Sequence, residues 1–314
     1  MILLVRLIRL MALWVAGMAP LLAEDLSPRP APKSPRDLIH ELTRDPDGDL
    51  ATLARAFVGK GGGNSLFYFP TKDATETPAT WGWKFENVWF KSADGTRIHG
   101  WFLPTNQKKP RGTIVFSHGN TGAMGYHFGF VEWLLPEGFN VLMFDYRGFG
   151  SSGGSPVRHG MIEDVHAAFD YVKTRKDVDA TRLISLGHSL GASKSITALA
   201  EKPVAGVRAI ISDSGFASYV GMADAVAGKV GLEMVSDEWS PKDWVAKLTP
   251  LPLLVIHGTD DEVVPFAQGQ QLFAAAAMPK TMFAVKGGHH GNSLWRNNGE
   301  YRKKMLEWLA TAMK

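Results

Sequence analysis

The 314-residue chain predicts an α/β fold: a doubly wound, mostly parallel sheet with a small cap insertion. Two observations carry that expectation. From about Trp83 onward, short and almost continuously apolar runs alternate with amphipathic stretches of 3.6-residue spacing, the pattern of buried parallel strands covered by helices. The glycines, 33 in all, cluster rather than recur periodically, as tight strand-to-helix loops require.

The elements follow in order. Phe85 to Phe90 and Arg97 to Leu103 flank the turn signal Ala93-Asp94-Gly95 and predict an antiparallel hairpin. Parallel strands are expected at Thr113–Ser117, Asn140–Asp145, Arg182–Leu186, Val207–Ser212, Pro252–Ile256 and Lys280–Val285, with a helix between each pair. Met161, Ile162, Val165, Phe169 and Val172 line one face of a helix near 160–175. Tyr301, Met305, Trp308 and Leu309 do the same in the last helix. Ligands of such sheets bind beyond the carboxyl ends of the strands, so chemistry is sought there.

Composition narrows the function. Apolar residues make up 45% and charged residues 21% of the chain, enough for a sizeable core. A net charge of +3 is small and evenly spread, with no basic run longer than the three residues Arg302-Lys303-Lys304, which argues against a nucleic-acid partner. The cysteine count is 0, excluding disulfides, thiolate catalysis, Cys-ligated zinc and a lipoprotein anchor.

Residues 1–23 (MILLVRLIRLMALWVAGMAPLLA) have the order of a secretory signal peptide: Arg6 and Arg9, then an apolar stretch, then Ala23 before Glu24-Asp25. The protein is therefore expected to be exported, periplasmic or secreted. The competing reading is a retained membrane anchor, for which Pro20 and the two arginines leave little uninterrupted apolar length. Residues 24–80 are expected to hold a linker (SPRPAPKSP, residues 27–35) and a helix from about Arg36 to Val58, ended by Gly59 to Gly63. The main domain is expected over 81–314, with the cap at about 216–249.

The strongest motif is Gly187-His188-Ser189-Leu190-Gly191, between a predicted strand and a predicted helix. A serine lifted out of a sheet on so sharp a turn has a strained backbone and needs small neighbours two positions away on either side. A serine hydroxyl also needs a base, and the base an orienting acid. His289 and His290, in the loop after the last strand, follow every plausible acid. Asp260, Asp261 and Glu262, after the Pro252–Ile256 strand, compete as the acid with Asp213. The developing oxyanion needs preorganised N–H donors, for which Leu190 and Asn120 are the backbone candidates. His118 is read as a brace for the Asn120 loop, and His188 as part of the turn. Asp145 to Ser152 is a structural turn without a P-loop lysine, with Tyr146 and Arg147 edging the pocket. No HExxH motif or ligand cluster points to a metal.

Five motifs in order, SHGNTGAMG, FDYRGFGSSGG, GHSLG, HGTDDEVVP and GGHHGN, resemble the α/β-hydrolase superfamily over about residues 85–313. The branch they resemble is that of serine-aminopeptidase-like and membrane-associated hydrolases, which includes protein depalmitoylases. The resemblance implies an α/β-hydrolase fold, no cofactor, and a triad of Ser189, Asp261 and His290. His289 departs from the pattern, since a small or polar residue is more usual there. The expected activity is a serine hydrolase of the carboxylesterase or thioesterase type. A peptidase or amidase on the same triad, and a non-catalytic binding protein that kept the fold, are the alternatives. Phe216, Tyr219, Met222, Met234, Trp239 and Trp244 in the cap suit a small-molecule or lipid-like acyl substrate near a membrane; packing of the cap on the sheet accounts for them equally well.

Overall fold

The computed structural model describes residues 65, 67–72 and 76–314. The expected signal segment (1–23), the linker and the helix from Arg36 to Val58 lie outside them. The described residues divide into two units. One joins those before Pro70 to Tyr219–Ser236; the other comprises Pro70–Ser218 and Asp237–Lys314. In the first, the ring of Phe67 meets that of Tyr219 edge-on at 5.2 Å, and the helix Tyr219–Met234 is interrupted at Gly228 (φ 52°).

The second unit is built on an eight-stranded sheet. Its strands are β1 (Glu86–Lys91), β2 (Arg97–Leu103), β3 (Gly112–Ser117), β4 (Phe139–Phe144), β5 (Leu183–His188), β6 (Val207–Asp213), β7 (Leu253–Gly258) and β8 (Lys280–Val285). Their spatial order is β8-β7-β6-β5-β3-β4-β2-β1. The expected hairpin forms: β1 runs antiparallel to β2, and β2 antiparallel to β4. Every other pairing is parallel. The chain passes from β3 to β4 on one side and then to β5 on the other, a topological switch that opens a crevice at the carboxyl ends.

Residue type explains burial along the sheet. Strands β3, β4, β5 and β7 are buried at every position, as helices on both faces demand. β8 is an edge strand, and its residues before Val285 stay partly exposed; Lys280 and Thr281 belong there. Helices α1 (Arg158–Thr174) and α2 (Leu190–Glu201) follow β4 and β5, and α3 (Phe266–Ala275) and α4 (Arg296–Ala312) follow β7 and β8. The predicted apolar face of α1 is fully buried. On α4, Met305 and Leu309 are buried while Tyr301 and Trp308 pack half-buried against the same core.

One element differs from expectation. Between β3 and β4 the chain forms two 3-10 segments, Met124–Phe130 and Glu132–Leu134, in place of an α-helix. Gly125 and Gly129 weaken helix formation there. The Asp145 carboxylate also accepts the Met124 N–H at 2.7 Å, and buried Met124 and Phe128 pin the segment to the core. The expected cap falls in both units: Tyr219–Ser236 in the first, and residues 237–249, with short turns at Pro241–Asp243 and Val245–Leu248, in the second. Trp239 and Trp244 stack on each other at 5.0 Å.

Candidate active site

Ser189 stands between β5 and α2 with φ 54° and ψ −120°, a conformation an L-residue adopts only under constraint. The constraint comes from both sides. Its N–H donates to the Asp213 carbonyl at 2.8 Å, and its own carbonyl accepts from Ala192 in the first turn of α2. The motif glycines are steric necessities. A Cβ on Gly191 would sit 1.9 Å from the Ser117 carbonyl oxygen, and one on Gly187 would sit 2.4 Å from the Ala192 backbone.

The loops after β7 and β8 are stitched together. Thr259 N–H donates to the Val285 carbonyl, Asp260 N–H to the Gly288 carbonyl, and Gly287 N–H to the Thr259 hydroxyl. A Cβ on Gly258 would meet Gly288 O at 2.1 Å, so only glycine lets these backbones touch. This seam brings Asp261 to His290. Nδ1 of His290 lies 2.9 Å from Asp261 Oδ2 and 3.1 Å from Oδ1. Oδ1 also accepts the backbone N–H groups of Val263 and Val264. His257 Nε2 stands 3.4 Å from Oδ2. Burial alone would raise the Asp261 pKa; the hydrogen bonds from His257, His290 and Val264 outweigh it and hold the carboxyl well below its ordinary range. Asp261 is thus a buried carboxylate, able to fix the imidazole of His290 with Nδ1–H inward and Nε2 outward.

The competing candidates fall elsewhere. His289 is exposed and pairs through Nδ1 with Glu262 at 3.1 Å. Asp260 is exposed and accepts from the Thr259 hydroxyl. Asp213 is bound to His188, whose Nδ1 lies 2.9 Å from Oδ2. The Ser189 hydroxyl makes no hydrogen bond to His290 among the described residues. Instead the ring of His188, next in sequence to Ser189, packs 4.9 Å from that of His290. Catalytic hydrogen bonds that are open without substrate commonly close when it binds.

The loop after β3 lies beside the turn. A Cβ on Gly119 would be 3.8 Å from Ser189 Cβ and 3.6 Å from His188 Cδ2, which places the start of the loop that holds Asn120 beside Ser189. His118 is fully buried, with Nδ1 2.8 Å from the Gly119 carbonyl and Nε2 3.6 Å from Asp145. Burial pushes the Asp145 carboxyl up to about 7 against the hydrogen bond from Met124. Burial lowers His118 well below the ordinary imidazole value and brings His127 to about 4. The rings of His118, His127, His188 and His290 form a row with neighbouring centroids 5.1, 6.4 and 4.9 Å apart. Two aromatic side chains border the row: Phe130 stacks on His188 at 4.1 Å, and Trp295 meets Phe130 edge-on at 5.7 Å.

Tyr146 and Arg147 do not edge a pocket. Tyr146 is buried, its hydroxyl donating to the His118 carbonyl. Arg147 is locked by Asp164 and Asp94 at 2.8 and 2.7 Å. Their loop braces the fold because the buried Asp164 carboxylate, on α1, accepts both the Arg147 guanidinium and the Arg147 backbone N–H. Sequence reasoning missed the His188–Asp213 pair. The register β5 to β6, which sets these two residues opposite each other, is the signal that locates it.

The comparisons with known proteins agree with this architecture. A family model described as serine aminopeptidase, S33, matches residues 108–231. The chain is 35% identical over 253 residues to the uncharacterized protein YfhR of Escherichia coli K12, covering 79% of this chain and 88% of that protein. It is 31% identical over 268 residues to the α/β-hydrolase domain-containing protein WAV2 of Arabidopsis thaliana, covering 78% and 86%. Among solved structures, the esterase Pf2001 of Pyrococcus furiosus superposes with a TM-score of 0.68 at 21% identity, over 79% of this chain and 99% of that one. With strand order, the strained turn at Ser189 and sequence similarity in agreement, the chain belongs to the α/β-hydrolase superfamily.

Proposed function

We propose that the protein is a serine hydrolase that cleaves carboxylic ester or thioester bonds through an acyl-enzyme. The observation that carries this reading is the 2.9 Å pair between His290 and buried Asp261, at the carboxyl ends of the strands, where Ser189 occupies its strained turn. Ser189 Oγ attacks the carbonyl while His290 Nε2 takes its proton, and Asp261 stabilises the cation that forms. The backbone N–H groups of Leu190, at the start of α2, and Asn120 hold the oxyanion. His290 then protonates the leaving alcohol or thiol, and water attacks the acyl-enzyme by the same route. The reaction requires His290 to close on Ser189 when substrate fills the crevice.

Phe130 and Trp295 border the row of rings that ends at His290, which favours an acyl or aryl group over a polar one. Export is proposed on the order of residues 1–23. Among the described residues, no helix is long and apolar enough to cross a membrane.

A fluorophosphonate probe on the full chain, followed by a series of p-nitrophenyl esters of rising chain length, tests the reading. Labelling at Ser189 and ester turnover are expected. Labelling with cleavage of peptide amides alone assigns a peptidase instead. Absence of labelling assigns a binding protein that kept the fold.

A further inference from the structure

Asp213 holds the nucleophile turn twice. Its carbonyl accepts the Ser189 N–H at 2.8 Å, and its Oδ2 lies 2.9 Å from His188 Nδ1. The His188 ring is confined on its other sides as well. Phe130 stacks on it at 4.1 Å with an interplanar angle of 28°. A Cβ on Gly119 would stand 3.6 Å from its Cδ2, and one on Gly291 would stand 3.7 Å from its Cε1. Nε2 lies between those two carbons in the ring, so this edge faces the gap between the loop after β3 and the loop that carries His290. The ring of His290 is its neighbour there, with centroids 4.9 Å apart.

We propose that His188, anchored by Asp213, is a positioning residue that stabilises the imidazolium formed on His290 when the Ser189 proton is taken. The proposal rests on the serine-hydrolase reading and deepens it. The base is then supported by two carboxylates, Asp261 directly and Asp213 through an intervening ring.

The chemistry follows from the tautomer. A carboxylate acceptor at Nδ1 fixes the proton there and leaves Nε2 with its lone pair. Burial lowers the pKa of His188 against the pull of Asp213, which keeps the ring uncharged. Such an imidazole is a dipole with Nε2 as its negative end, and it relays the charge of Asp213 without adding a positive charge of its own. An opposite charge nearby favours the protonated form of a base. A dipole fixed before the reaction needs no reorganisation when the charge appears. Two protonated rings at this separation would instead repel.

Other groups face His290 and enter its pH dependence. Asp261 lies 2.9 Å from its Nδ1, and Glu262 Oε2 lies 3.5 Å from its backbone nitrogen. His289 adjoins it in the same loop. On the other side is His127, which burial, helped by the charge of His290, brings to about 4. The acid limb of kcat/KM reports on all of these together, so the test removes one charge and leaves the rest.

Asp213→Asn removes that charge and keeps the shape. Ester hydrolysis followed from about pH 5 to about pH 8 is expected to show the acid limb moved to lower pH by about half a unit or more, with the plateau of kcat/KM lowered threefold to tenfold. Asp170→Asn, at an exposed position on α1, is expected to change neither. A merely structural role lowers the plateau and leaves the limb in place; that result overturns the proposal, as does a limb moved to higher pH. If Asp213→Asn does not fold, the double variant His188→Phe with Asp213→Asn, which removes the buried charge together with its ring donor, is expected to show the same displacement. Nitrogen-15 histidine spectra of the wild type need no variant. His188 is expected to stay neutral, with its proton on Nδ1, across the whole limb, and a doubly protonated His188 there overturns the proposal. A wild-type chain with neither ester turnover nor fluorophosphonate labelling ends the hydrolase reading and this proposal with it. Turnover with an unmoved limb ends this proposal alone.

Discussion

The imidazoles of His188 and His290 lie with centroids 4.9 Å apart, and each has its own carboxylate, Asp213 for one and Asp261 for the other. Two His–Asp pairs thus stand side by side at the nucleophile turn. Their settings differ. Burial lowers the pKa of His188 against the pull of Asp213, so a neutral ring faces His290. His290 is less buried, with a side chain 16% exposed against 5% for His188.

The two pairs carry different expected losses of activity. Ser189→Ala and His290→Ala should each lower kcat/KM about a thousandfold or more. His289→Ala should stay within a few-fold, because its partner Glu262 is exposed. Steady-state ester hydrolysis measures all three, and an inactive His289→Ala beside an active His290→Ala would reverse the assignment of the base.

The His188–Asp213 pair should show in stability. Replacing His188 with Phe leaves a buried carboxylate without its ring donor, at a cost of about 3 kcal/mol. Asp213→Asn in the same chain should recover at least about 1 kcal/mol of that loss. Urea unfolding of the four members of the cycle gives the coupling, and additive losses would mean that the pair contributes nothing.

Gly191→Ala should abolish soluble expression or cost more than about 4 kcal/mol, since the new Cβ would fall 1.9 Å from the Ser117 carbonyl oxygen. Gly129→Ala meets nothing within 4 Å and should change stability by no more than about 0.5 kcal/mol. Thermal unfolding compares them; similar melting temperatures would contradict the packing at the turn.

Acid sensitivity should trace in part to His127. In the unfolded chain an imidazole titrates near 6.5, and in the folded protein burial brings His127 to about 4. Between these values the unfolded state binds more protons, so stability rises with pH across the window and is lost as pH falls through it. His127→Gln should remove up to about 1.4 kcal/mol per pH unit of that slope. Urea midpoints at pH 5 and pH 6.5 test it, and parallel curves for the two proteins would exclude His127 as the source.

Much of the fold was legible because its signals are local. Apolar runs of strand length and the turn Ala93-Asp94-Gly95 need no partner to be read, and the hairpin and parallel order follow from them. The nucleophile turn was legible for a related reason: Gly187 and Gly191 record contacts too close for any side chain. The helix expected between β3 and β4 failed because tertiary contacts overrode the pattern. The Asp145 carboxylate, from the far end of β4, holds Met124 in a geometry that local propensity does not reveal. Arg147 looked like a pocket residue because its partners, Asp94 and Asp164, lie far away in sequence. The His188–Asp213 pair was hidden for the same reason: it is completed by a residue on another element.

The seam between the loops after β7 and β8 has a consequence for synthesis. Asp261 and His290 take their positions only when Gly258 and Gly288 meet, and the second of these is made about 100 residues after Ser189. At roughly 5–20 residues per second, a growing polypeptide contains Ser189 for about 5–20 s before His290 is added. Nascent chains, and products cut short before residue 290, therefore hold the Ser189 hydroxyl without the imidazole proposed as its base.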